Sequence, residues 1–235
     1  MGAQGSGKGT QAARLAPRLR LEHLSTGDLF REAIAAKSPL GQRVQPIYDR
    51  GDLIPDDLTV ALVEERLDRI AADRAEGLAA RGALFDGFPR TLAQAEALDA
   101  LLARRGEAIA AIVEIDVPMD QLVSRLSGRR VCPNCGTTYH VEFNPPKQAG
   151  VCDVCGGTPA QRDDDKPGPI TRRLENYRTQ TAPLLAYYRE RGLLTRVDGA
   201  QDIELVTQAI LDAVGPRLAD GATSGTSDGP VRDEA

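Results

Sequence analysis

Two hydrophobic periods alternate along this chain. Short apolar runs at Leu21-Glu22-His23-Leu24, Ala83-Leu84-Phe85-Asp86, Ala108 to Asp116 and Leu194 to Val197 read as strands. Between them, apolar positions recur at helical spacing. One such segment runs through Gln11 to Leu15, one from Asp28 to about Ala36, and one is opened by Ser38 as N-cap with Pro39 in its first turn. Asp56 is expected to cap a long amphipathic helix through Leu58, Leu62, Val63, Leu67 and Ile70. Thr91 begins another through Leu102, Pro118 opens one carrying Leu122, Arg125 and Leu126, and Ile203 to Leu218 forms the last. Pro169 starts a long helix through Leu174, Tyr177, Leu184, Leu185 and Tyr188, which Pro183 should kink or divide. This alternation predicts an α/β fold, a parallel sheet flanked by helices. The run from Ala108 to Asp116 is apolar enough to be expected buried on both faces.

From Gly128 to about Asp165 the pattern breaks. The segment is rich in Cys, Gly, Pro and Thr, with short β-like pieces such as Thr138-Tyr139-His140-Val141, and reads as a small inserted domain. Its four cysteines, Cys132, Cys135, Cys152 and Cys155, form two C-x₂-C pairs separated by sixteen residues, the spacing of a closed tetrahedral zinc site. With all four positions filled by sulfur the zinc is structural, and His140 is a spare. Gly136 and Gly156 follow each pair, where the backbone must turn around the metal. At the other end of the chain, residues Asp220 to Ala235 are small, polar and acidic, and disorder is expected there.

Composition narrows the class. With 41% hydrophobic and 27% charged residues the chain is an ordinary soluble globular protein. Its net charge of −5 argues against a nucleic-acid partner. No apolar run approaches a membrane span. A cytoplasmic monomer is expected, a compartment in which close cysteine pairs suit a metal better than disulfides.

The strongest chemical signal is Gly2-Ala3-Gln4-Gly5-Ser6-Gly7-Lys8-Gly9-Thr10. Glycines let a backbone curl around phosphate with its N–H groups inward, and the following helix directs its positive end at the anion. Lys8 adds a mobile positive charge, and Thr10 a hydroxyl near where magnesium would sit. The general pattern wants Ser or Thr directly after Lys; here Gly9 intervenes. Such a loop normally follows a buried strand, and only Met1 precedes this one. A first, central strand is therefore expected to be missing and a longer native chain to exist, with a gap between the strands ending at Asp86 and Asp116.

Three further features suit phosphates and a base. Asp86 ends an apolar strand, where an open parallel sheet binds its ligands, and can hold magnesium through water. Arg31, Arg90, Arg125, Arg129, Arg162 and Arg173 lie at joints of the pattern, and guanidinium forks match phosphate geometry. Arg14, Arg66, Arg104 and Arg191 read instead as a solvated face, and His23 as a packed or partly exposed histidine. Thr26 and Gln94 offer donors and acceptors that complement the edge of adenine.

Ser25-Thr26-Gly27-Asp28, Asp86-Gly87-Phe88-Pro89-Arg90-Thr91, Gly128-Arg129-Arg130-Val131 and Thr181-Ala182-Pro183-Leu184 stand in the order and spacing of the adenylate kinase family. The resemblance reaches about Leu218, and the insert resembles the long, bacterial type with a zinc-binding lid. It implies a P-loop kinase core over 1–127 and 166–219, a helical nucleoside-monophosphate-binding insert at 25–54, and a lid at 128–165. It implies the Mg²⁺-dependent reaction ATP + AMP ⇌ 2 ADP. Gly5, Ser6, Gly7, Lys8, Gly9, Thr10 and Arg129 would bind ATP, with Arg125 and the backbone of Gln201 at its adenine. Thr26, Arg31, Leu53, Ile54, Arg90, Gln94 and the backbone of Gly87, Phe88 and Pro89 would bind AMP. Arg162 and Arg173 would contact the phosphates during transfer. The attacking phosphate oxygen is already anionic, so no general base is required. A kinase for another nucleoside monophosphate, or a truncated chain with impaired activity, is the alternative.

Overall fold

A computed structural model describes residues 1–76 and 80–220 of the chain. Among these, the strands are β1 (Glu22–Ser25), β2 (Ala83–Asp86), β3 (Ile112–Asp116), β4 (Arg129–Val131), β5 (Thr138–His140) and β6 (Leu194–Asp198). The α-helices are α1 (Lys8–Leu19), α2 (Thr26–Ala35), α3 (Pro39–Asp49), α4 (Asp56–Ala75), α5 (Leu92–Arg104), α6 (Met119–Ser127), α7 (Pro167–Asn176), α8 (Leu184–Glu190) and α9 (Ile203–Asp220). β1 pairs in parallel with β2, and β3 with β6, while β4 and β5 form an antiparallel ribbon. The registers place Ser25 opposite Asp86 and Asp116 opposite Asp198, so four polar residues end these strands.

β2 and β3 do not pair with each other. Leu84, Phe85, Ile112, Val113 and Ile115 line a space continuous with a cleft of about 2990 Å³. Met1 occupies the edge of β3 as the last residue of a parallel neighbour would: its nitrogen donates to Val113 O, and Ile115 N donates to its carbonyl at 3.0 Å. This geometry corrects the expectation for Ala108 to Asp116. The strand begins only at Ile112, and Ile112 and Val113 are half-buried, because one edge faces the cleft instead of a neighbour.

Two cores flank the strands. Leu24 packs with Val63, Leu67 and Ile70 of α4 and Leu98 and Leu102 of α5. On the other side Leu15 of α1 joins Ile115, Val197 and the α9 residues Val206, Ile210 and Val214. A smaller cluster of Phe30, Val44 and Ile54 holds α2 to α3. Each fully buried aliphatic side chain contributes roughly 1.5–3 kcal/mol.

Several boundaries moved for local reasons. α2 starts at Thr26, not Asp28, because Ser25 Oγ accepts the Asp28 amide and so caps the helix two residues earlier. Pro55, extended, holds the N-cap position of α4, and Asp56 is the first helical residue with its side chain turned elsewhere. α7 begins at Pro167 instead of Pro169, after the extended Lys166 that proline favours before it. The division expected at Pro183 is present: residues Tyr177–Thr181 widen into a π-helical stretch before α8. The acidic tail beyond Asp220 lies outside the described residues, and Asp220 itself ends α9.

Candidate functional site

Gly7, at φ 94°, occupies the N-cap of α1 with no side chain capping it and no acidic residue in the first turn. A left-handed residue is what glycine permits there. The first-turn amides thus remain available to an anion. Lys8 Nζ donates to Gly2 O and Ala3 O, both at 2.7 Å, folding the ammonium back into the loop. Burial pushes its pKa down to about 7, with nearby Arg90, Arg173 and Arg129 adding to the shift and Asp86 opposing it. Gly9 also has a steric reason: a Cβ there would lie 3.2 Å from Asp86 Oδ2. The hydroxyl residue is displaced by one position, to Thr10, and the carboxylate gains the space.

Asp86 lies at the end of β2 with His23 Nε2 3.6 Å away. Burial alone raises its pKa, but His23, Lys8 and Arg90 outweigh it and hold the carboxyl below its ordinary value. A buried carboxylate kept ionised suits a hard, oxygen-seeking cation.

Five of the six singled-out arginines converge. Arg129 grips Asp165 with a two-pronged contact, Nε to Oδ2 at 2.7 Å and Nη2 to Oδ1. Arg173 reaches Asp164 Oδ2 at 2.8 Å and Asp165 Oδ1 at 3.2 Å. Arg162 stands 3.8 Å from Asp28, which also pairs with Arg31, and Arg31 donates to Tyr48. Arg90 Nε donates to Gly87 O at 2.7 Å. Burial first, and then the crowding of Arg31 and Arg129, push the Arg162 pKa down to about 10. Asp164 and Asp165, both buried, offset that crowding as phosphate would. Arg125 stands apart and donates to Gly199 O at 3.0 Å, two residues before Gln201, whose own amide donates to Asp198. The four arginines expected on the solvated face are surface residues: Arg14, Arg66 and Arg104 pair with glutamates, and Arg191 covers the Tyr187 ring.

Beside the cluster is a cavity of about 60 Å³ lined by Thr26, Arg31, Leu53, Ile54, Gly87, Arg90, Gln94 and Arg173 among others. Thr26 Oγ1 donates to Gly87 O at 3.0 Å. Gln94 is buried, its Oε1 accepting the Arg90 amide at 2.8 Å and its Nε2 donating to Asp56 Oδ1 at 2.7 Å. Phe88 differs from its neighbours: its ring belongs to the core with Leu24 and Leu98. Pro89 lines the larger cleft.

The four cysteine sulfurs lie within 4.8 Å of one another, Cys132 to Cys155 at 3.4 Å and Cys135 to Cys152 at 3.5 Å. Tetrahedral zinc with ~2.3 Å bonds requires separations near 3.8 Å, so the set fits. The two halves repeat one turn: Gly136 N donates to Cys132 O and Gly156 N to Cys152 O, both at 2.9 Å. Tyr139, buried between them, contacts Cys152 Sγ at 3.3 Å. His140 is not part of the set; its Nδ1 accepts from the amides of Glu142 and Phe143.

Sequence reasoning missed Tyr48, Asp164 and Asp165, and misread Asp56. The run Asp163-Asp164-Asp165 between Arg162 and Arg173 was a usable signal for the first group. Nothing local distinguishes Asp56 from an ordinary helix cap.

The family model described as Adenylate kinase matches residues 1–193. An adenylate kinase of Moorella thermoacetica is 50% identical over 215 residues, covering 92% of this chain and 96% of that protein. One from Carboxydothermus hydrogenoformans is 48% identical, covering 91% and 97%, and one from Staphylococcus epidermidis 44% identical, covering 90% and 95%.

Proposed function

This chain belongs to the adenylate kinase family and interconverts ATP + AMP and 2 ADP, and we propose that the P-loop, Asp86 and the arginine cluster are the parts that do it. The observation that carries the assignment is convergence: Lys8 and the ends of β1 and β2 open onto the same cleft as Arg90, Arg129, Arg162 and Arg173. Two polyanions must meet there, and unit charges ~4 Å apart repel by about 1 kcal/mol even in bulk water. Gly5 to Thr10 bind the ATP phosphates, with Arg125 and the Gln201 backbone at its base. Asp86 and Thr10 would hold the magnesium ion, which supplies charge neutralisation at the phosphates. Arg31 and Arg90 grip the AMP phosphate, and Arg162 and Arg173 follow the group in flight. The acceptor oxygen is anionic before transfer, so no side chain has to take a proton.

AMP is placed against Thr26, Leu53, Ile54 and the Gly87–Pro89 backbone, at the mouth where the small cavity meets the larger cleft, its base read by Gln94. Gln94→Leu is expected to leave the adenine edge unpartnered, costing roughly 1–3 kcal/mol for AMP with ATP affinity hardly changed. Steady-state rates with AMP, GMP, CMP and UMP check this; an unchanged preference for AMP refutes the assignment.

Lys8 gives a pH signature. Its folded pKa of about 7 lies below the ordinary lysine value, so between these two values the unfolded chain binds more protons, and nucleotide-free stability rises with pH there. Phosphates against Lys8 favour its charged form. Binding of MgATP at pH 8 is expected to take up most of one proton, measured by calorimetry in buffers of different ionisation enthalpy. Lys8→Met should abolish the uptake; wild-type protein with none would overturn the placement.

Residues 25–54 and 128–165 are assigned as the mobile parts that exclude water, the latter carrying a structural zinc on Cys132, Cys135, Cys152 and Cys155. Among the described residues β2 and β3 do not pair with each other, and with Met1 bonded to β3 this supports a sheet whose central position takes one further parallel strand. Among the described residues no helix is long and apolar enough to cross a membrane. A cytoplasmic setting accords with four free cysteines.

A further inference from the structure

We propose that Asp56 sets the enzyme's discrimination between adenine and 6-oxopurine acceptors by fixing which way round the Gln94 amide stands. The inference rests on the placement of the AMP base at Gln94. A glutamine amide presents a donor and an acceptor side by side, and turning it over exchanges them. Adenine offers an acceptor at N1 beside a donor at its 6-amino group; hypoxanthine and guanine offer the reverse, a donor at N1 beside an acceptor at O6. The orientation of one amide therefore selects one class and refuses the other.

Two groups of unambiguous polarity hold it. The Arg90 backbone N–H only donates, so it must face Oε1, and it does, at 2.8 Å. The Asp56 carboxylate only accepts, so it must face Nε2, and it does, at 2.7 Å. Asp56 is itself oriented, its other oxygen accepting from Thr91 Oγ1 at 3.0 Å. Thr91 Oγ1 in turn accepts the Gln94 amide of the chain at 3.1 Å, so cap, carboxylate and glutamine form one closed set. Gln94 is 2% exposed, which leaves water little access to replace either partner. One Nε2 hydrogen and one Oε1 lone pair remain unused, the pair that adenine requires. Asp56 touches neither base nor phosphate in this scheme; it is a positioning residue.

IMP is the diagnostic acceptor, because it differs from AMP only on the 6-position edge. In Asp56→Ala the amide loses one of its two guides, and the AMP:IMP ratio of kcat/KM is expected to shrink about tenfold, chiefly through KM for the acceptor, with KM for ATP within about twofold. Asp56→Asn is expected to restore the ratio to within about threefold, since its oxygen still accepts from Gln94 and its nitrogen donates to Thr91. An unchanged ratio in folded Asp56→Ala overturns the proposal, as does an equal loss in Asp56→Asn. Wild-type protein that does not prefer AMP to IMP overturns it by a different route, through the assignment of Gln94 to the base. A measurement independent of folding variants is the Gln94 side-chain NH₂ in nucleotide-free wild type. Solvent exchange slowed well below that of an exposed glutamine amide is expected; exchange at the exposed rate counts against the lock.

Discussion

Stripping metal from the four-cysteine centre with a chelator, or replacing Cys152 with Ser, is expected to unfold residues 128–165 and lower the melting temperature on the order of 10 °C. The segment has almost no apolar core: its buried cluster is Cys132, Tyr139 and Cys152, two of them metal ligands in the proposed site. Its strands β4 and β5 are three residues each. Structural zinc can contribute about 10–16 kcal/mol of apparent binding energy to a small peptide, far more than so few side chains provide. Arg129 stands at the start of β4, which runs into Cys132, and reaches Asp165 from there. Loss of metal should therefore reduce turnover as well as stability. Metal content of natively purified, reduced protein, with hydrogen exchange over residues 128–165, decides the matter: metal-free protein with ordinary protection in that segment would end the idea.

Arg173→Ala is expected to reduce kcat roughly 10³-fold, with KM for either nucleotide changed by about tenfold or less. In the nucleotide-free protein its guanidinium is held between Asp164 and Asp165, already oriented by carboxylates where phosphate oxygens would stand. Losing an arginine that meets the transferred group mainly in the transition state lowers kcat without comparable loss of binding. Arg173→Lys keeps the charge but not the fork and should recover only part of the rate. The same substitution leaves two buried carboxylates with fewer partners, so a fall in melting temperature is expected alongside. Rapid-quench measurement of the transfer step separates the two effects. A transfer rate within about tenfold of wild type, in protein that remains folded, would remove Arg173 from the transferring group.

Two more arginines of the cluster illustrate a shared constraint. Arg31 and Arg162 both approach Asp28, and Tyr48 lies between Arg31 and Asp164, its hydroxyl 3.4 Å from that carboxylate. Asp28, Asp164 and Asp165 hold four of the arginines close together in the absence of nucleotide. Phosphates entering the proposed site would then exchange for carboxylates instead of having to order long, solvated side chains.

Features carried by neighbours in the chain were determined by sequence alone. The Ser38 cap and the helix start at Thr91 depend on bonds three residues apart, and the structure has both. The spacing within each C-x₂-C pair is local in the same way, and the four sulfurs come within 4.8 Å of one another. Tertiary structure decided where short-range and long-range partners compete. A carboxylate at a helix start has a local outcome, capping, and a distant one; Asp56 takes Thr91 and Gln94, 35 and 38 residues away, because Gln94 is buried and leaving it unpaired would cost more than an uncapped helix. The same holds for Asp165, which reaches Arg129 across 36 residues. The length of β3 was likewise not local: an apolar run from Ala108 suits a strand, but a strand extends only as far as neighbours bond to it, and here Leu193–Asp198 and Met1 are what it meets.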